Sequence, residues 1–355
     1  MGRKVVLVVF ALSLLFATYS FSNAAEAEIK LKFASLFTPV HKNALVLQAF
    51  CDEVNKKTNG KVSIALHSGS TLITGPKMAA GIQTGVADIG LSHTSFSRGR
   101  FPVTEVMELP VGFPSAWISG MVSNDFYAKF TPKEWEAYHP LFFAASGPNV
   151  VQTLTKQVRT VEDMKGLKLR AVGRNGDVAK ALGAVPVPLE IPDLYDSLRR
   201  GVIDGNLLAS EGLKGFKLSD LIKFETASWK YSPTHAFYVI MNKKKWDSLP
   251  NDVKKVFTDL SPVYADKLGV QWNELEVEGI EAMKAQGGQL LQIPAAEDAK
   301  WAKALEPLMG EYKKEMVGKG FKEAEVDSWF KFIQERIEYW KGVEKSRKIP
   351  TAFQY

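Results

Sequence analysis

Arg170 closes the run Leu167-Lys168-Leu169-Arg170. A guanidinium at a strand end can grip a carboxylate through two parallel N–H···O bonds, which fixes orientation as well as charge. Composition alone reads the same residue as a surface arginine in an ion pair. In Ser92-His93-Thr94-Ser95-Phe96 an imidazole stands among hydroxyls. His93 can donate to a carboxylate oxygen, with Thr94 and Ser95 as weaker polar candidates, or it is an exposed loop histidine. Ser210 and Glu211 form a third polar group. Glu211 can accept from a hydroxyl or an ammonium, or pair with Lys214 at i+3 on its own helix. Arg174 and Lys214 are further cations that could meet a second acid group.

Phe37, Phe113, Ile191 and Trp229 are candidate apolar walls, because each lies at or near a strand end or loop. Aromatic side chains fill cores more often than pockets, so the core reading stands beside this one. The chain has no Gly-x-Ser-x-Gly, no HExxH or HxH spacing among its five His, and no obvious carboxylate pair. Cys51 is its one cysteine and sits in an apolar helical stretch, where it reads as a buried small hydrophobe. The chemistry is that of capture, with no catalytic residue, metal or cofactor expected.

The elements that must position these groups can be read from periodicity. Ile29 to Ala34 alternates as a half-buried strand, a Pro39-led helix follows, and Val62 to His67 is a second strand. Gly75-Pro76 opens a helix with Met78, Ile82 and Val86, and Val86 to Leu91 reads as a third strand, which puts His93 on the loop after it. A second run begins at Asn149 to Thr155. It continues through a capping box at Thr160 to Asp163, the strand ending at Arg170, a helix at 177–182 and an edge segment at 185–188. A helix at 193–200 and a strand at 202–205 follow, and His235 to Met241 returns toward the first unit. The remainder is helical, over about 251–285, 295–319 and 324–345. Two α/β units with parallel pairing and no floppy joint imply a hinged, two-lobed protein with its site in the cleft where strand ends converge.

The N-terminus points to export. Arg3 and Lys4 precede the apolar run Val5 to Ala17, and Ser22-Asn23-Ala24 supplies a small-x-small cleavage site, so 1–25 reads as a secretory signal peptide. The apolar run is shorter than the roughly 20 residues a bilayer span needs. About 330 residues remain, more than one core usually supports. The expected division is 26–148 plus 235–276 for the first lobe and 149–234 plus 277–355 for the second, with a long helix serving both. Removal of the two basic residues of 1–25 lowers the formal charge from +6 to +4, a mild excess that argues against nucleic acid and weakly for an anionic ligand.

Asp163-Met164-Lys165-Gly166-Leu167-Lys168-Leu169-Arg170, Leu182-Gly183-Ala184 with Pro186 and Pro188, Tyr195, Leu198 and Gly201-Val202-Ile203-Asp204-Gly205 occur in that order. With Gly85 to Gly90 and Trp246 to Pro250, they resemble the solute-binding proteins of TRAP (tripartite ATP-independent periplasmic) transporters, the family of dicarboxylate- and sialic-acid-binding receptors. The resemblance spans about 29–320. It implies a periplasmic binding-protein fold, α/β, with a cleft between lobes, crossing strands and a long C-terminal helix spanning both. It also implies closure around a ligand, delivery to a membrane permease and a carboxylate-gripping role for Arg170. By spacing from Asp88, His93 falls where sialic-acid binders have a pocket Glu.

The sequence also departs from those relatives. Val150 stands where many carry a second Arg, Leu208 where many carry an Asn, and Ala209-Ser210-Glu211 where some carry Pro-Trp-Glu. A second buried carboxylate would lack its cation, so a monocarboxylate is expected. An apolar or aromatic body suits the rings: an indole or phenyl acid, an aromatic amino acid or a 2-oxo acid. The alternatives are a receptor for a dicarboxylate or a short 2-oxo or hydroxy acid and, in another class, a periplasmic hydrolase. A receptor feeding an ATP-driven importer or a signalling protein would share the binding physics.

Overall fold

The computed structural model describes residues 28–355, so the signal-peptide reading of 1–25 lies outside the described residues. A first unit contains β1 (Ile29–Ser35), α1 (Lys42–Lys57), β2 (Val62–His67), α2 (Met78–Thr84), β3 (Ile89–His93), α3 (Ala116–Phe130) and β4 (Tyr138–Ala145). A second contains β5 (Val150–Thr153), β6 (Lys168–Arg170), α4 (Arg174–Ala181), β7 (Val185–Val187), α5 (Ile191–Arg199), β8 (Gly205–Leu208), α6 (Glu211–Gly215) and β9 (Phe224–Thr226). The chain then returns through β10 (Ala236–Asn242), α7 (Lys243–Ser248), α8 (Asn251–Ala285), β11 (Gln289–Leu291), α9 (Asp298–Gly318) and α10 (Glu323–Arg347).

Two sheets result, a five-stranded β2-β1-β3-β10-β4 and a six-stranded β11-β9-β5-β8-β6-β7. β1 runs parallel to β2 and β3, and β6 parallel to β7 and β8, as the alternation of strands and helices implies. The expected two-lobed α/β architecture is the observed one. Its lobes share a local device. α2 ends at Gly85 (φ 82°) with Val86 N–H bonded to Gly81 O, and α5 ends before Gly201 (φ 66°) with Val202 N–H bonded to Ser197 O. Both are Schellman caps, in which the apolar residue after the glycine belongs to the helix end. An Asp follows two residues later in each. Asp88 accepts Lys32 N–H and Asp204 accepts Lys168 N–H, both at 2.8 Å, clamping the neighbouring parallel strand.

These caps explain two differences from the sequence reading. β3 starts at Ile89 instead of Val86, and β8 at Gly205 instead of Val202, so His93 is the last strand residue and Leu208 ends β8. The Thr160–Asp163 box does form: Asp163 N–H donates to Thr160 Oγ1 and Thr160 N–H to an Asp163 carboxylate oxygen.

Segments 146–149 and 227–235 cross between the lobes side by side, joined by Ser146 N–H to His235 O and Asn149 N–H to Pro233 O. The 35-residue α8, about 52 Å long at 1.5 Å per residue, also serves both lobes. Phe257, Leu268 and Trp272 pack in the first-lobe core with Phe33, Leu47 and Phe50. Ile280 and Met283 pack in the second with Leu194 and Leu213. One expectation is corrected: α10 does not belong to the second lobe. Val326, Trp329, Ile333 and Ile337 bury an apolar stripe against Ile118, Val122 and Phe126 of α3 in the first lobe. α9 is shared, with Trp301 and Leu305 in the second-lobe core and Tyr312 and Met316 in the first. Among the described residues no helix is long and apolar enough to cross a membrane.

Candidate functional site

The site begins with register. Arg170 of β6 lies opposite Asn206 of β8, Asn206 opposite Gln152 of β5, and Gln152 opposite Glu225 of β9. Directly opposed residues share a sheet face, so the pairing alone builds a polar row across four strands. The row is buried: Arg170 is 1% exposed and the other three 0%. At one end Gln152 Nε2 donates to Glu225 at 2.7 Å, and Ser210 Oγ donates to the other Glu225 oxygen at 2.8 Å. At the other end Arg170 Nε donates to Leu189 O at 3.0 Å, while its Nη1 and both side-chain atoms of Asn206 have no partner. Unmet buried hydrogen bonds are costly, so these neighbouring groups on one sheet face are candidates to meet a polar guest.

Glu211 follows β8 as the first residue of α6 and is 3% exposed. Burial pushes its carboxyl up to about 8, against the opposing pull of Trp272, nearby backbone N–H groups and Arg170. At neutral pH it is mostly the uncharged acid. The Trp272 indole N–H makes no well-formed hydrogen bond, so it acts on Glu211 at longer range. The alternative pairing with Lys214 does not form, because Lys214 Nζ goes to Glu278 at 2.7 Å. Burial also holds the Arg170 guanidinium down, to about 10, with Glu211 acting against it. One helical turn beyond Trp272, Glu276 is 1% exposed and held well above the usual carboxylate range by burial, then by Glu211, Glu225 and Glu344. A Cβ at Gly147 of the crossing segment would collide with its carboxylate, so the glycine makes its room.

The first lobe supplies His93 and the rings. His93 lies over His235 (centroids 4.5 Å apart) and against Phe96 and Phe237, and its Nδ1 has no partner. Burial, followed by His235 and Arg170, keeps it far below the ordinary histidine range, so the ring is neutral. Phe37, just past β1, stacks on His41 and Phe237 and meets Trp272 edge-on, which extends the aromatic surface from His93. Thr94 and Ser95 are consumed locally. Both hydroxyls and the Ser95 N–H donate to Glu108 Oε1.

His93, Glu108 and His235 bring donor atoms within 4.8 Å of one another, a spacing that invites a cation. Their engagement fits a hydrogen-bond relay better. His235 Nε2 faces the Asn175 amide at 3.2 Å and its Nδ1 faces Ser95 Oγ at 2.7 Å. With the amide donating, Nδ1 carries the proton toward Ser95, whose hydroxyl goes to Glu108. Both His235 nitrogens are thereby occupied, and the positive Arg170 acts on both imidazoles.

Arg170, Glu211, His93 and Phe37 therefore converge. Ser210 supports the far end of the row, and Leu208, opposite Val150, packs in the second-lobe core beneath it. Ile191 opens α5 two residues beyond the Leu189 carbonyl and packs half-buried against the same core. Three candidates go elsewhere. Phe113 is 0% exposed in the cluster of α3 and α10, and Trp229 lies edge-on to Tyr355 near the C-terminus. Arg174 is held by Glu105 and Glu315, both at 2.8 Å, and has no free fork for a ligand. Asn206, Trp272, Glu276, His235 and Phe237 were not read from the sequence. The available signal was polar interruption of buried elements, since Asn273 and Glu276 lie on the buried face of α8.

Against known proteins, residues 33–315 match the family described as bacterial extracellular solute-binding protein, family 7. The chain is 27% identical over 296 residues to the C4-dicarboxylate-binding periplasmic protein DctP of Rhodobacter capsulatus, covering 80% of this chain and 86% of that one. It is also similar to a solved TRAP solute-binding protein from Rhodoferax ferrireducens T118 in complex with copurified benzoate, at 25% identity and TM-score 0.81, covering 88% and 99% of the two chains. A marine metagenome TRAP solute-binding protein specific for aromatic acid ligands, in complex with metahydroxyphenylacetate, gives 25% identity and TM-score 0.82 at the same coverage.

Proposed function

The chain belongs to the family 7 bacterial extracellular solute-binding proteins, TRAP-type receptors that bind small organic acids and pass them to a membrane permease, and from that premise we propose that its ligand is a monocarboxylate with an aromatic or apolar body. Members of this family are receptors and not enzymes.

One observation carries the finer reading. Arg170 is buried with Nη1 unpartnered, while the two cations that could have met a second acid group, Arg174 and Lys214, are engaged by Glu105, Glu315 and Glu278. With His93 and His235 neutral and Glu211 mostly protonated, Arg170 is the one unpaired cation among these residues that the site turns toward its guest. A single carboxylate balances it, and a second would be buried without a counter-charge. The guest's acid group meets Arg170 and Asn206, with the imidazole of His93 as a further donor. Its body lies toward Phe37, Phe237 and Trp272, the side chains that join the site to the first-lobe core. Two similar proteins that hold aromatic acids support this reading.

Thermal-shift and calorimetric titration with benzoate, 3-hydroxybenzoate, mandelate, phenylpyruvate, indole-3-acetate, succinate and malate tests it. Response to the aromatic monoacids and silence with the diacids is expected. Succinate or malate binding with the aromatic acids silent would establish the dicarboxylate alternative. Export by a cleaved 1–25 segment belongs to the same proposal, and the mass of the protein recovered from the periplasm tests it.

A further inference from the structure

The first turn of α4 reaches from the second lobe onto the first. Arg174 directs Nε and Nη2 to Glu105, a first-lobe residue, at 3.0 and 2.8 Å, and Nη2 also to Glu315 at 2.8 Å. Its guanidinium lies over the Tyr312 ring at 5.2 Å, and the Tyr312 hydroxyl is tied to Pro102 O. The Arg174 and Glu105 side chains are 6% and 1% exposed. Outside this buried pair, Arg98 of the first lobe forks onto Asp177 of α4 at 3.0 and 2.7 Å. Asn175 of the same turn meets His235 at the crossing segment, and Gly173 seats against Ser95 so closely that a Cβ would lie 2.7 Å from the serine Cβ.

The connection to the ligand site is short. β6 ends at Arg170, and the residue after the two that follow is Gly173, so the strand that carries the carboxylate grip also carries the turn that docks on the opposite lobe. Every partner in this contact belongs to the chain itself. We propose that the α4 turn, through Arg174–Glu105 and Arg98–Asp177, is an interlobe lock that favours the closed form before any ligand arrives, with Arg174 as a positioning residue that couples the seat of Arg170 to closure. The proposal rests on the receptor reading only in assuming that the lobes move. Closure in bilobal proteins is a population shift, and a contact made in only one state biases it without touching ligand.

The outer pair is tested at Arg98, because Asp177 also lies 3.9 Å from the buried Arg174 Nη1 and a cation placed there would repel it. Spin labels at Leu45→Cys and Val185→Cys, exposed positions on the two lobes, report their separation, and the buried Cys51 stays unlabelled. In ligand-free protein the unaltered lock gives a populated closed distance. Arg98→Ala and Arg98→Asp each lower the closed-to-open ratio about two- to fivefold, and Arg98→Lys, which keeps the charge, retains most of it. Glu105→Gln, which strips the buried partner of its charge, lowers the ratio further. Closed populations unchanged in Arg98→Asp and Glu105→Gln, or an Arg98→Lys protein as open as Arg98→Asp, would overturn the lock. The distance measurement needs no ligand, so failure of the benzoate-type panel leaves this result standing and counts against the receptor's proposed ligand alone.

Discussion

Arg170 and Asn206 stand directly opposite each other on two parallel strands, both buried, with Arg170 Nη1 and both ends of the Asn206 amide unpartnered. A carboxylate set between them would receive a guanidinium N–H from one strand and an amide N–H from the next. Arg170→Ala should therefore weaken binding of the preferred acid at least tenfold, and Arg170→Lys should recover only part of that, because an ammonium cannot make the planar fork. Calorimetry showing wild-type affinity in Arg170→Ala would contradict the assignment.

Asn206 separates a hydrogen-bonding role from a packing role. Asn206→Asp nearly preserves shape but places a carboxylate beside the guanidinium, where it competes with the ligand for the same cation. It should reduce affinity more than Asn206→Ala, which removes only a donor, for about 1–3 kcal/mol. Equal losses in the two variants would mean that the amide does not face the captured acid.

Glu211 makes binding sensitive to alkaline pH. Its carboxyl, raised to about 8, is largely protonated at neutrality, and a bound anion beside it favours the proton further. Above about pH 8 it ionises next to Arg170, and affinity for a monoanion should fall, by up to about tenfold per unit for one linked proton. Glu211→Gln should flatten that limb of the profile. A Kd independent of pH between 7 and 9.5 in the unaltered protein would remove Glu211 from the site.

Stability of the ligand-free protein should also fall with rising pH. Glu108, Glu225, Glu134 and Glu344 are raised to about 7 by burial, Glu211 to about 8, and Glu276 well above its ordinary value. Unfolded, these groups ionise near pH 4.5; folded, they keep their protons. The folded state thus binds more protons, and stability present at low pH is lost as pH rises through the folded values. His41, His93 and His235 are lowered and act oppositely, but only below about pH 6.5, where the unfolded chain begins to charge them. Between pH 6.5 and 8 the carboxyls alone set the sign. Calorimetric Tm should drop across that window, and a flat or rising Tm would refute the set.

How much of this could be read beforehand depends on the range of the interaction. The boundaries of α8 follow from Pro250 before it, sustained helical periodicity and Gly287 after it, all local. The starts of β3 and β8 were misplaced because the valines after Gly85 and Gly201 look like strand residues and instead finish helix caps. Arg174 was misread because the partners that consume it, Glu105 and Glu315, lie 69 and 141 residues away in the chain. Phe113 and Phe37 look alike as sequence, since both are fully apolar and near predicted loops. Only tertiary packing sends one against α3 and α10 and the other against Trp272. The strand-end position of Arg170 was legible because it is a local property.

Gly173→Ala probes how closely the two lobes must approach. The backbone there has φ 57° and ψ −134°, a conformation that residues with a Cβ rarely adopt, at a cost of about 1–3 kcal/mol. That strain acts whether or not the lobes meet and should lower the Tm of the ligand-free protein. The contact with Ser95 acts only on closure, since the added Cβ would lie 2.7 Å from the serine Cβ and 2.8 Å from its Cα. Ligand release should therefore accelerate beyond what the loss of stability explains, while the association rate holds or rises, because encounter occurs with the open form and the variant populates it more. Adding Ser95→Gly to Gly173→Ala removes one of the clashing atoms and should slow release again without restoring Tm, Ser95 being held to Glu108 and His235 by bonds of its own. Stopped-flow release of the preferred acid separates the two effects. If Gly173→Ala lowers Tm but leaves the release rate unchanged, the glycine serves its own turn and has no part in closing the cleft.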